Sequence, residues 1–190
     1  MKIKKEKIIF ISVLLLLFLY FGPLFGGYSF SEMSAIRYSF SNQGGKVVFE
    51  KEFGNTKVVI WDTGTVKEAK LIRKDWGILY RAVGSDAISA LTPEEKMKVA
   101  WSATQHEEKY YETLFAVEVL DSRITKVVVS NESSNENEYS LREVKEQSTV
   151  YIEMDVKNGY AAHYGTYSNS DVGGFVFRGL NSEGKVVSVL

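Results

Sequence analysis

Hydrophobic positions follow three successive regimes along the chain. Residues 8–25 read IIFISVLLLLFLYFGPLF, a continuous apolar run. As a helix rising about 1.5 Å per residue, it matches the hydrocarbon thickness of a bilayer. Gly22-Pro23 kinks or ends that helix. Residues 28–45, YSFSEMSAIRYSFSNQGG, are mixed. There, Ser29-x-x-Glu32 matches a capping box, and Met33, Ile36, Arg37 and Phe40 recur at helical spacing. A short amphipathic helix is predicted, closed by Gly44-Gly45.

From Lys46 the period changes to two. In KVVFEKEF, Val47, Phe49 and Phe53 share a face that Lys51 interrupts. KVVIWD, 57–62, is continuously apolar, as in a strand buried on both faces. After Thr63-Gly64, VKEAKLIRK and WGILYRAVG complete four consecutive strands, a meander. Residues 85–96 break the pattern, with a turn at Thr92-Pro93-Glu94-Glu95. Residues 97–112 read as strand or helix. TPEEK is a helix start, but Val99, Trp101 and Ala103 alternate and YYETLFAVEVL is rich in β-formers, which favours two strands. ITKVVVSN follows a turn at Asp121-Ser122-Arg123. SSNENE is a polar hairpin tip, and EYSLREVKE follows it. In TVYIEMDV, Val150, Ile152, Met154 and Val156 alternate with Thr149, Tyr151, Glu153 and Asp155, which marks a half-buried strand. Asn158-Gly159 turns the chain. GGFVFRGL and GKVVSVL form a hairpin across 181–184. The expected fold is all-β: an antiparallel sandwich or partly closed barrel of about ten short strands, preceded by one N-terminal transmembrane helix.

Charge assigns sides. Lys2, Lys4, Lys5 and Lys7 precede the apolar run, which keeps the N-terminus in the cytoplasm and sends the remainder outward. The expected organisation is a cytoplasmic stub at 1–7, a signal anchor at 8–27, a juxtamembrane segment at 28–45 and an exported β domain at 46–190. A cleaved secretory signal is the alternative, but Gly27-Tyr28-Ser29 is a weak substitute for a small-x-small cleavage site. The net charge is −1, and four lysines fall in the first seven residues, so the exported part is acidic. Phosphate binding needs a basic patch, so nucleic acid is not an expected partner. Cysteine is absent. That removes disulfides, thiolate chemistry, Cys-based zinc sites and lipid acylation at cysteine, and it fits a Gram-positive exterior.

The stretches KVVIWDTGTVKEAKLIRKDWGILYRAVG, LFAVEVLDSRITKVVVSNE, EYSLREV, TVYIEMDV and FVFRGLNSEGKVV together resemble a pattern in small exported proteins of Gram-positive bacilli. Those proteins are held at the surface by a lipid or a single membrane helix. The resemblance spans about 46–190 and rests on structural motifs. It implies location and a β fold, and it implies no catalytic residue.

Candidate chemistry is sparse. His106 and His163 are the only histidines, and both read as surface residues. Glu107 and Glu108 neighbour His106, yet adjacent strand residues point to opposite faces. Glu94-Glu95, Glu107-Glu108, Glu136 and Glu138 lie in turn-like surroundings, which suit solvated faces rather than a raised-pKa acid. No G-x-S-x-G, GxxxxGK(S/T) or GxGxxG motif occurs. Gly173-Gly174 reads as a bulge or strand entry. Trp61, Trp76 and Trp101 are expected in core or inter-sheet packing. The densest mix of aromatics and amides is 158–171, read as loop-like. Tyr160, His163, Tyr164, Tyr167 and Asn169 are therefore the expected ligand-binding residues. No catalytic residue, metal or cofactor is expected. The expected role is non-catalytic binding or scaffolding at the cell surface, with the membrane and another membrane or cell-wall protein as partners. A cell-wall glycan-binding module or hydrolase is the alternative.

Overall fold

A computed structural model of the chain describes residues 5–39, 44–90, 92, 94–132 and 140–190, leaving aside the side chains of residues 6, 8, 18, 19 and 22–25. The polar tip expected at SSNENE, together with Pro93 and Phe40, lies outside the described residues. Helix α1 (Lys5–Phe25) runs 21 residues and ends two residues beyond Pro23. Over the described residues no helix is long and apolar enough to cross a membrane, so the span expected at 8–27 is not established by α1 alone.

Helix α2 (Glu32–Tyr38) forms where the apolar spacing placed it, but its N-cap is Ser31 rather than Ser29. The Ser31 hydroxyl accepts from the Ser34 N–H at 3.4 Å. Ser29 is held elsewhere: its N–H and C=O exchange hydrogen bonds with Tyr80 at 2.7 and 2.8 Å. That pairing keeps Ser29 extended, so the helix begins only after Phe30.

Eleven strands occur among the described residues, in three antiparallel sheets, none closed into a barrel. The first sheet is the expected meander, β1 (Lys46–Phe53), β2 (Thr56–Asp62), β3 (Lys67–Asp75) and β4 (Leu79–Ala87), in that order. The second sheet contains β5 (Met97–Glu107), β6 (Tyr110–Val119) and β9 (Tyr160–Ser168), ordered β5-β6-β9. Residues 97–112 are thus strand, as the β-formers favoured. The third sheet is ordered β11-β10-β7-β8, from β7 (Lys126–Ser130), β8 (Tyr151–Asp155), β10 (Val176–Leu180) and β11 (Val186–Val189). The hairpin expected at the C-terminus is β10–β11.

The sheets stack because β6 is apolar on both faces. Leu114 and Ala116 pack with Val58, Ile60, Ala69 and Leu71 of the first sheet. Phe115 and Val117, pointing the other way, pack with Val127, Val129, Ile152 and Phe177 of the third. The three-strand sheet is therefore the filling between the other two. In place of the expected sandwich or partly closed barrel, three sheets stack because β6 offers no polar face to water.

Both outer faces carry a short helix. On the first sheet, Ile36 of α2 packs on Val59, Trp61 and Ile72. Lys70 is fully buried on this face and donates to the Ser39 hydroxyl at 2.6 Å; burial brings its pKa down to about 7. On the third sheet, α3 (Leu141–Gln147) buries Val144. Here the capping box is real. The Ser140 hydroxyl accepts from the Glu143 N–H, and the Glu143 carboxylate accepts from the Ser140 N–H at 2.8 Å.

Candidate functional site

Polar groups inside the molecule concentrate where the first and second sheets meet. On β3 the residues facing inward are Lys67, Ala69, Leu71 and Arg73. On β6 they are Glu112, Leu114, Ala116 and Glu118. The two strands run antiparallel across the layers, so a cation meets a carboxylate at each end of the apolar centre. Lys67 pairs with Glu118, and Arg73 pairs with Glu112. The period of two places all eight residues; Coulomb attraction seals the rim of an apolar interface.

The Arg73 end gathers more groups. The Tyr164 hydroxyl donates to the Glu112 carboxylate at 2.8 Å, and His106 Nδ1 lies 3.6 Å from it. Burial pushes the Glu112 carboxyl up, but hydrogen bonds from Arg73 and Tyr164 outweigh it and leave the pKa below the ordinary value. A carboxylate held ionised in this way is the opposite of what a general acid needs. The arrangement is a clamp between two sheets. A second buried pair, Arg178 with Glu132, works similarly on the third sheet. Arg178 donates to the Ser130 hydroxyl at 2.8 Å, and Ser148, the C-cap of α3, donates to Glu132 at 3.2 Å.

The segment expected to be a ligand-binding loop is strand β9, the edge of the central sheet. Its two faces divide the expected residues between them. Toward the first sheet, Tyr160 packs on Phe49 with ring centroids 5.9 Å apart, and Tyr164 reaches Glu112. On the opposite face of β9, His163 Nε2 and the Tyr167 hydroxyl are hydrogen-bonded at 3.0 Å, and the His163 ring also meets Phe53 of β1 edge-on, with centroids 5.7 Å apart. Gly165 makes that bond possible. A Cβ there would sit 2.6 Å from the Tyr167 hydroxyl, so only glycine lets the ring fold back along its own strand. Burial, helped by the nearby Lys51 charge, brings the His163 pKa down to about 4, and burial lifts Tyr167 to about 12. Both are neutral at pH 7. His163 is half-buried rather than the surface residue expected, whereas His106 is exposed. Asn169 stands apart from the other four. Its amide donates to the Glu108 carbonyl at 3.3 Å, beside an open depression lined by Trp101, Tyr111 and Val172.

The tryptophans separate as well. Trp61 is buried as expected, Trp101 is 37 % exposed, and Trp76 is 83 % exposed, which overturns its expected place in the core. Trp76 belongs to the β3–β4 turn, where φ is 51°, so the chain geometry directs its ring outward. Among the described residues no group of three or more His, Asp or Glu is placed to hold a metal ion. The chain matches no protein-family model, and comparison with curated proteins and with solved structures finds no match.

Proposed function

We propose that the chain is a single-pass membrane-anchored protein whose β domain is a non-catalytic binding or scaffolding module on the extracytoplasmic side. The observation that carries this reading is the join between helix and domain. Helix α1 follows a lysine-rich start and is apolar over 8–25. Only a few residues beyond it, Ser29 is bonded to Tyr80 of β4 on both its N–H and its C=O. So short a connection holds the domain against whatever surrounds the helix, which suits a module positioned at a membrane surface. The Lys-rich flank orients it with the N-terminus inside.

The test uses the absence of natural cysteine. Ser182→Cys in the exposed β10–β11 turn is labelled in intact cells with a membrane-impermeant maleimide. Labelling without lysis, with α1 retained in the mature protein, is the expected result. Labelling only after lysis would refute the orientation. A mature N-terminus near Tyr28 would replace the anchor with a cleaved signal.

A second reading, a cell-wall glycan-binding module, is favoured by one feature: the exposed Trp101 ring beside Tyr111 and the Asn169 amide. Sugar faces stack on such rings while amides meet hydroxyls. Loss of cell-wall pull-down in Trp101→Ala with folding intact would support it.

A further inference from the structure

The β3–β4 turn has a conformation that its sequence does not suit. Ile78 N–H bonds to the Asp75 carbonyl at 3.3 Å, and the two central residues, Trp76 and Gly77, have φ of 51° and 76°. That is the sign pattern of a type I′ turn, which favours Asn-Gly. The same chain uses Asn-Gly in the same kind of turn at Asn158-Gly159, with φ of 52° and 81°. A bulky aromatic at positive φ is strained, and such strain clusters at functional contacts. Among the described residues the Trp76 indole stacks only on the Tyr28 ring, with centroids 6.3 Å apart; 83 % of the residue stays exposed, and Ile78 beside it is 63 % exposed.

The surroundings identify the medium these side chains meet. A groove of about 740 Å³ separates the turn from α1, and its walls are apolar. Val13, Leu16, Leu17 and Tyr20 of α1 form one side; Phe30, Trp76 and Ile78 face them. Tyr20 and Val13 lie about 8 and 18 Å back from the α1 C-terminus along the helix axis. A turn that runs beside this stretch is at the depth of the outer leaflet whenever α1 spans. Immediately behind the tip the chemistry changes. Arg81 bonds Asp75 at 3.0 Å and lies over the Tyr28 ring, and Lys74 lies over Tyr80. Apolar and aromatic side chains at the tip, with a net cation one step behind, match acyl chains below and anionic phosphates above.

We propose that the Trp76-Gly77-Ile78 turn inserts into the outer leaflet beside α1 as a second membrane contact, so that the β domain is fixed in orientation and not merely tethered. This rests on the anchored reading above. The bilayer fills the groove, and Trp76 reaches the acyl region just below the headgroups.

The test is fluorescence quenching of the full chain in phosphatidylcholine–phosphatidylglycerol vesicles whose acyl chains are brominated near the headgroup or near the bilayer centre. The Trp76 signal is the difference between wild type and Trp76→Phe. Several-fold stronger quenching by the shallow bromines than by aqueous acrylamide is expected. In a Trp76→Phe background, Leu17→Trp reports whether α1 is inserted, through quenching by the deep bromines. Quenched Leu17→Trp with an acrylamide-accessible Trp76 would overturn the insertion alone. Unquenched Leu17→Trp would overturn the anchor and the insertion with it. A Trp76 shielded from both quenchers would mean that a protein surface, a second copy or a partner, fills the groove instead of lipid, and would overturn the lipid assignment.

Discussion

At the scale of single residues, the informative side chains are the polar ones that the fold encloses. His163 is the clearest because its folded pKa, about 4, lies well below the 6.5 of a free imidazole. Between those values the unfolded chain binds a proton that the folded chain does not. Stability is therefore complete above about pH 6.5 and falls as pH drops toward 4. Allowing for partial exposure, the loss should be about 1–2 kcal/mol. Melting temperature of the detergent-solubilised chain should fall across that window, and His163→Gln should flatten the fall. An unchanged slope in the variant would place the titration elsewhere. Glu112 gives a sharper result. Its removal leaves Arg73 enclosed without its partner, so Glu112→Ala should cost about 3–5 kcal/mol in urea unfolding. The double change Glu112→Leu with Arg73→Met should recover most of that, since an apolar replacement leaves no charge stranded. If single and double variants unfold alike, the pair does not clamp the sheets.

At the scale of elements, local geometry and local sequence agree in most places, and the exceptions are instructive. The β3–β4 turn is one. Replacing Trp76 with Asn relieves the strain of positive φ but removes the ring stacked on Tyr28, so domain stability should change by less than about 1 kcal/mol while the contact with the bilayer is lost. The urea midpoint should stay nearly constant while the share of fragment 28–190 that floats with anionic vesicles falls; equal flotation of the two forms would mean that Trp76 makes no bilayer contact. Helix α3 is another. Ser140→Ala removes a reciprocal cap and should lower stability by about 1 kcal/mol, read from the same unfolding curves. These elements also show what the sequence could reveal. Strand β8 was legible because one face is buried and one wet, so apolar and polar residues alternate. Strand β9 was not. It is covered on both sides, and its Tyr, His, Gly and Ala residues carry little apolar contrast, so a strand read as a loop. The ion pairs were equally hidden. Glu112 and Glu118 look like ordinary surface residues until β3 supplies Arg73 and Lys67 at matching positions 39 and 51 residues away. The Ser140-x-x-Glu143 spacing forms a capping box, whereas the similar Ser29-x-x-Glu32 spacing does not, because Tyr80 claims the Ser29 backbone.

At the scale of the whole molecule, the boundary of the folded unit is the open question that packing answers. A change from helical to strand period at Lys46 suggests a domain beginning there. The contacts extend it to Tyr28. Helix α2 buries Ile36 against Val59, Trp61 and Ile72. Glu32 forms an ion pair with Lys57 at 2.8 Å, Ser39 receives the Lys70 ammonium, and Ser29 bonds Tyr80. A fragment starting at residue 46 would expose the Trp61 and Ile72 side chains and hydrate the face that encloses Lys70. Uncovering two large apolar side chains and losing Ile36 should cost at least about 3 kcal/mol by the area rule, a large share of a small domain's stability. The fragment 28–190 should therefore unfold in one cooperative step at clearly higher urea concentration than 46–190. The shorter fragment should bind a hydrophobic dye that the longer one does not. Equal midpoints for the two fragments would mean that α2 is an accessory to the domain rather than part of it, and would return the boundary to Lys46.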